Sequence, residues 1–286
     1  MNILYIIFGE KIVYHIQAYL SIRSFQKQLN DSDNIFVMTT KPELYAHSGI
    51  NVIPVDDKTI NDWEGEYHFF WRVKIKAIEY MIEHYPDSHL IYLDTDTFLY
   101  GQLNTLKEYL NQGLALMHKD EGHPSQMMTK SKRMWNQVAN RTYSGITLGL
   151  QHHMFNAGVV GIPKDNARKI VATALGICDL MLSENVERIV IEQYSLSIAL
   201  YELAHLKEAE KIIGHYWGNK SEWEQYASEL LAKAYMTGSA ISEEIEKLDV
   251  STFYKIPVYI HQSSTGKKLH RLIDDCFKDK DIKYIE

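Results

Sequence analysis

Apolar runs of strand length alternate along this chain with segments of helical period. The run Ile3–Phe8 predicts a buried strand, and His15–Leu29 follows with apolar positions at Ile16, Tyr19, Leu20 and Ile22, one stripe of a helix. Asn34–Met38 and Val52–Val55 predict two further strands. Phe69–His84 carries Phe70, Val73, Ile75, Ala77, Ile78, Met81 and Ile82, a helical pattern ended by Pro86. His89–Leu93 is apolar after its first residue and predicts another buried strand. This rhythm predicts an α/β fold, a mostly parallel central sheet flanked by helices.

The second half is less regular. From about His118 to Leu150 the chain is polar and lacks a steady period, apart from a short helix near Ser131–Ala139; a loop region of that length suits a substrate wall or lid. Met154–Ile162 predicts one apolar strand, and Asp165–Ser183 and Ile189–Leu203 predict helices. A strand at Lys211–Gly214, a helix from about Ser221, a strand at Pro257–Ile260 and a helix near Leu269–Phe277 complete the pattern. With no internal repeat and no low-complexity linker, a single domain is expected over 1–286. Residues to about 110 would form a nucleotide-binding half and 111–286 an acceptor half.

Composition narrows the function. A hydrophobic content of 45% is enough for a large core and unlike a disordered chain. Thirty Lys and Arg against 37 Asp and Glu leave a net charge of −7, which disfavours a protein built to grip nucleic-acid phosphates. Cys178 and Cys276 form neither a CxxC nor a disulfide framework, so reduced cysteines and a cytoplasmic protein are expected. The N-terminal apolar run is short and lacks a basic leader. Ile170–Leu182, interrupted by Asp179, falls below the ~20 residues of a membrane span. A soluble chain follows, with peripheral membrane association left open.

The chemistry concentrates at Leu90-Ile91-Tyr92-Leu93-Asp94-Thr95-Asp96. A buried strand ends in two carboxylates two residues apart, which share one face if the backbone stays extended. In open α/β sheets that strand end is where ligands bind. Paired carboxylates repel unless a cation lies between them, and a hard divalent ion, Mn²⁺ or Mg²⁺, leaves room for substrate phosphates. A Gly-rich phosphate loop, a GxGxxG turn and a GxSxG elbow are all absent from the sequence.

Four motifs in order resemble the glycosyltransferases of GT-A fold, nearest to the retaining branch typified by glycosyltransferase family 8. Asp94-Thr95-Asp96 looks like their DxD element, and Phe155-Asn156-Ala157-Gly158-Val159 is similar to their FNAG strand. Glu192-Gln193 resembles an acidic-Gln pair in which the family has Asp. His215-Tyr216-Trp217-Gly218-Asn219-Lys220 with Trp223 resembles a C-terminal HxxGxxK-W element, here with Lys five residues after His rather than six.

The resemblance implies an enzyme that transfers a hexose-like sugar from a nucleotide-sugar donor, UDP-linked, to a saccharide or other hydroxyl acceptor with retention. It implies Asp94, Asp96 and His215 as metal ligands, and a donor site including Phe8, Gly9, Tyr14, Arg72, Lys76, Asp94, Thr95, Gly218 and Lys220. Asn156, Glu192 and Gln193 would act at the donor sugar. His261, followed by Gly266 and Lys267, is a second candidate for the third ligand; the HxxG spacing and Trp223 favour His215. His152 and His153 are adjacent, so on a strand they point to opposite faces and do not share an ion. His118, Lys119, Asp120 and His123 are candidates to line an acceptor pocket. A nucleotide-sugar-binding scaffold without activity and a metal-dependent phosphoester hydrolase are the alternatives.

Overall fold

The computed structural model describes residues 1–46, 48–127 and 129–260, together with Gly266, Leu269, Leu272, Ile273 and Cys276. His261 and most of the helix expected at Leu269–Phe277 lie outside the described residues.

The strands are β1 (Asn2–Ile7), β2 (Asn34–Thr39), β3 (Asn51–Pro54), β4 (Leu90–Leu93), β5 (Thr97–Leu99), β6 (Ala115–Met117), β7 (Asp120–Gly122), β8 (Thr142–Tyr143), β9 (Ile146–Thr147), β10 (Met154–Phe155), β11 (Val159–Ile162), β12 (Leu206–Glu208) and β13 (Ile213–His215). The α-helices are α1 (Ile12–Gln26), α2 (Asp57–Glu64), α3 (Arg72–His84), α4 (Leu103–Asn111), α5 (Thr129–Val138), α6 (Ala167–Ser183), α7 (Ile191–Ala204), α8 (Lys220–Thr237) and α9 (Ile241–Glu246). Seven strands form the central sheet in the order β12-β6-β11-β4-β1-β2-β3. All its pairings are parallel except those of β11, which runs antiparallel to both β4 and β6. The mostly parallel, helix-flanked sheet is the architecture that the apolar rhythm predicts.

Period-2 alternation divides the strands between two cores. Leu4, Leu90, Tyr92, Val160 and Ile162 pack on one face with α3, α6 and α7. Ile3, Tyr5, Ile7, Ile91, Leu93 and Val159 pack on the other with α1, α4 and α8. Strands buried on both sides read as unbroken apolar runs, which is why β1, β2 and β4 stand out in the sequence.

Two expected strands are corrected. Met154–Ile162 is not one strand: it breaks into β10 and β11 around Asn156-Ala157-Gly158. The Asn156 side chain turns back to accept the Gly158 N–H at 3.0 Å, a local bond that replaces the ladder. Pro257–Ile260 forms only an isolated bridge, Gly218 to Tyr259. The polar stretch 118–150 contains β7, the β8–β9 hairpin and α5, close to the short helix expected there. α2 and α4 were not anticipated; α2 is fixed at its start by Asp56, whose carboxylate accepts from the Thr59 N–H at 2.8 Å.

Candidate functional site

The site is assembled where β4 ends. Leu93 pairs with Tyr5 of β1 and Val159 of β11, and the Asp94 N–H prolongs the second pairing by donating to the Gly158 carbonyl at 2.9 Å. The chain then turns at Thr95-Asp96 instead of staying extended, and enters β5, which pairs antiparallel with β13. That register sets His215 opposite Thr97, and the Tyr216 N–H donates to the Asp96 carbonyl at 3.0 Å. Backbone pairing alone therefore brings together Asp94 and Asp96, from the β4–β5 turn, and His215, from the end of β13. Their ligand atoms all lie within 4.8 Å of one another, and they are the only such cluster among the described residues.

The tautomer of His215 follows from its neighbours. Asn156 accepts at Oδ1 from Gly158 and donates from Nδ2 to Glu121 at 3.0 Å, which fixes its amide orientation. His215 Nδ1, 3.0 Å from the same Oδ1, must then be the donor. Its Nε2 faces Asp96 at 3.2 Å and Asp94 at 4.0 Å. In neutral imidazole that nitrogen carries a lone pair, and a lone pair facing two carboxylates needs a proton or a cation between them. Two carboxylates and an imidazole held in this tautomer fit a divalent ion.

Gly158 is required for this packing. A Cβ there would stand 2.2 Å from His215 Cε1 and 2.4 Å from Nδ1.

Two lysines complete the electrostatics. Lys220, at the start of α8, lies 2.9 Å from Asp96. Lys74, buried on α3, lies 3.5 Å from Asp94 and 3.3 Å from Glu192, and donates to the Ala157 carbonyl at 3.3 Å. Burial opposes the charge on Lys74, but Asp94 and Glu192 outweigh it and hold the ammonium above its ordinary value. Burial likewise opposes the Asp96 carboxylate, yet a proton on His215 Nε2 and the Lys220 ammonium hold it well below the usual range. Glu192 is pushed up by burial, partly offset by Lys74. The buried Tyr92 hydroxyl, raised well above its ordinary value by burial and then by Asp94, donates to the Asp94 carboxylate. Two ammonium groups face three carboxylates, so a divalent ion would reverse the local sign and make the site receptive to a diphosphate.

A cavity of about 290 Å³ opens on these carboxylates, lined among others by Phe8, Tyr14, Trp71, Lys74, Asp94, Thr95, Asp96 and Lys220. Phe8 also borders a neighbouring hollow of about 740 Å³ with Gly9, Thr40 and Lys41. A third cavity, about 850 Å³, reaches Asn156 and His215 and is lined by His118, Lys119 and Asp120, though not by His123. The cluster thus stands between two openings.

Other expected residues are placed elsewhere. Arg72 makes a two-pronged pair with Asp179 at 2.7 and 3.0 Å, tying α3 to α6, and Lys76 pairs with Glu79 on its own helix. Neither lines the 290 Å³ cavity; Lys74, between them in sequence, does. Gly218 gives close approach to the Tyr259 ring, which a Cβ would meet at 2.2 Å. Glu192 and Gln193 line neither the 290 nor the 850 Å³ cavity. Gln193 donates to Glu121 at 3.0 Å and accepts from the Ala157 N–H at 3.4 Å, bracing the turn that holds Asn156. His152 and His153 diverge to Glu202 and Asp120. Glu121 and Tyr92 carried no sequence signal for a site: a carboxylate next to Asp120 in a polar stretch and a strand tyrosine. Lys74 did carry one, since it heads the buried stripe Ala77, Ile78, Met81.

No helix among the described residues is long and apolar enough to cross a membrane. No protein-family model matches the chain, and no curated protein does. Among solved structures, mouse xyloside xylosyltransferase 1 in its apo form is similar to it at 12% identity and a TM-score of 0.48, over 73% of this chain and 85% of that one.

Proposed function

We propose that this protein is a metal-dependent glycosyltransferase of the GT-A type. It would transfer a sugar, with retention, from a UDP-linked donor to an acceptor hydroxyl, within a single domain and in the cytoplasm. One observation carries this: Asp94, Asp96 and His215 converge from two segments far apart in sequence, with Nε2 of a tautomer-fixed imidazole turned toward both carboxylates. The order of the DxD, FNAG, Glu-Gln and His-Gly-Lys motifs supports it.

A divalent ion held by these three residues, Mn²⁺ or Mg²⁺, would supply positive charge to the leaving diphosphate. The chain's own groups do the rest. Lys220 can exchange Asp96 for a phosphate oxygen as a point charge. Lys74 and Tyr92 hold Asp94 in place, and Glu192 acts through Lys74. Asn156, braced by Glu121 and Gln193, holds the His215 tautomer. Tyr14, Phe8 and the Gly9 backbone offer a ring and a ledge for the base.

The test is UDP release from a panel of UDP-sugars with Mn²⁺, in wild type and Asp96→Asn. Metal-dependent release that is lost in the variant is expected. Binding without turnover of any donor would point to a scaffold, and cleavage of simple phosphate esters to a hydrolase; either contradicts the proposal.

A further inference from the structure

The cavity of about 850 Å³ beside His215 has walls of two kinds. One is aromatic and open: Tyr254 is 59% exposed, Trp217 is 50% exposed, and the Trp217 ring lies 5.8 Å from that of Tyr259. The other is acidic: Asp120, Glu121 and Glu210 line it, and its single ammonium, Lys119, is already held by Glu210 at 2.8 Å. Among the described lining residues three carboxylates thus stand against one ammonium, a net negative wall toward an anionic guest.

His118 adds an acceptor. Its Nε2 donates to the Ile213 carbonyl at 3.1 Å, so Nδ1 carries the lone pair, and that buried nitrogen has no partner.

Three chemistries can be weighed against these walls. A phosphorylated or carboxylated guest would meet like charge. A lipid chain would strip water from the carboxylates without replacing their hydrogen bonds, which is costly. A neutral sugar satisfies both walls. Its C–H face packs on the negative face of an aromatic ring, and its hydroxyls donate to carboxylates and to an imidazole lone pair. A volume of this size is in the upper part of the ligand-site range and admits more than one ring.

We propose that this cavity binds a neutral saccharide, with a sugar ring on the Tyr254 side and hydroxyls directed to Asp120, Glu121 and Glu210. Its role as acceptor rests on the glycosyltransferase assignment above; its affinity for sugar does not.

The experiment is saturation-transfer NMR with maltose, cellobiose and lactose, and with glucose 6-phosphate as the anionic control. Spectra are taken with and without UDP and Mn²⁺. At least one neutral disaccharide saturates with a millimolar-range dissociation constant, and glucose 6-phosphate binds more weakly. Tyr254→Ala weakens the disaccharide by about tenfold, whereas Tyr254→Phe, which keeps the ring, binds like wild type. Three results overturn the proposal: no neutral disaccharide saturates in either condition, glucose 6-phosphate binds as well, or Tyr254→Ala binds unchanged. UDP titrated into the same samples reads the donor assignment separately. Sugar binding without metal-dependent UDP binding would remove the donor assignment and leave the saccharide site standing.

Discussion

Gly158→Ala tests whether the metal cluster depends on the fit between β11 and His215. The added methyl would stand 2.2 Å from Cε1 of the imidazole, where carbon atoms normally stay about 3.5 Å apart or more. The ring must therefore retreat by about 1.3 Å, whereas metal–ligand bonds tolerate only about 0.2 Å. His215 has nowhere to go without losing its Asn156 bond, because it is 7% exposed and held at both nitrogens. Overpacking should cost about 1–3 kcal/mol of stability. Displacing the ligand should weaken Mn²⁺ by about tenfold to a hundredfold, the range seen when groups supporting a ligand are lost. Calorimetric Mn²⁺ titration reads the affinity and thermal melting reads the stability. Gly161→Ala is the control: its methyl would meet Leu116 at 2.7 Å, in the core away from the cluster, so it should destabilise without changing Mn²⁺ affinity. Gly158→Ala protein that melts lower yet binds Mn²⁺ as wild type does would refute the reasoning.

Lys74→Met should cost about 3–5 kcal/mol, because it leaves Asp94 and Glu192 without their shared buried counter-ion. Burial already holds Glu192 above its ordinary 4.5, so the stability it contributes is complete below that pH and is lost as pH rises through the folded value. The melting-temperature gap to wild type should therefore widen from about pH 5 to about pH 8, and a constant gap would contradict this. His118 has the opposite slope: its value is depressed from 6.5 to about 4, so its contribution is complete above pH 6.5 and lost as pH falls toward 4, an amplitude of roughly 3 kcal/mol. His118→Gln should flatten that limb in calorimetry; parallel curves would count against it. Arg72→Met should lower the melting temperature through loss of the Asp179 pair and leave UDP affinity unchanged, and a lost UDP affinity would return Arg72 to the donor site.

The class of fold was legible because β1, β2 and β4 are buried on both faces and carry polar residues only at their ends, where they do not blur the run. The broken strand at Asn156 was not, because eight of the nine residues in 154–162 are apolar or small enough to hide a turn, and only the amide of Asn156 hinted at it. The helix α3 was legible in extent but not in direction. Arg72 and Lys76 do share a face, yet the fold turns it toward Asp179 and Glu79 while Lys74 enters the core. Local spacing cannot say which face of a helix meets the sheet when cations lie on both. Pro257–Ile260 has the apolar content of a strand but, among the described residues, a single bridge to Gly218, so pairing, a non-local property, decided it. Glu121 joins the site only because β7 pairs with β10, and no motif marks a contact made across 35 residues.

The central claim is that Asp94, Asp96 and His215 hold a divalent ion through which a nucleotide diphosphate binds. Titrating UDP calorimetrically into wild type with Mn²⁺, into wild type with EDTA, and into Asp96→Asn with Mn²⁺ tests it most directly. Binding in the first case, weakened by about a hundredfold or more in the other two, is the predicted result. Equal UDP affinity in all three would contradict it.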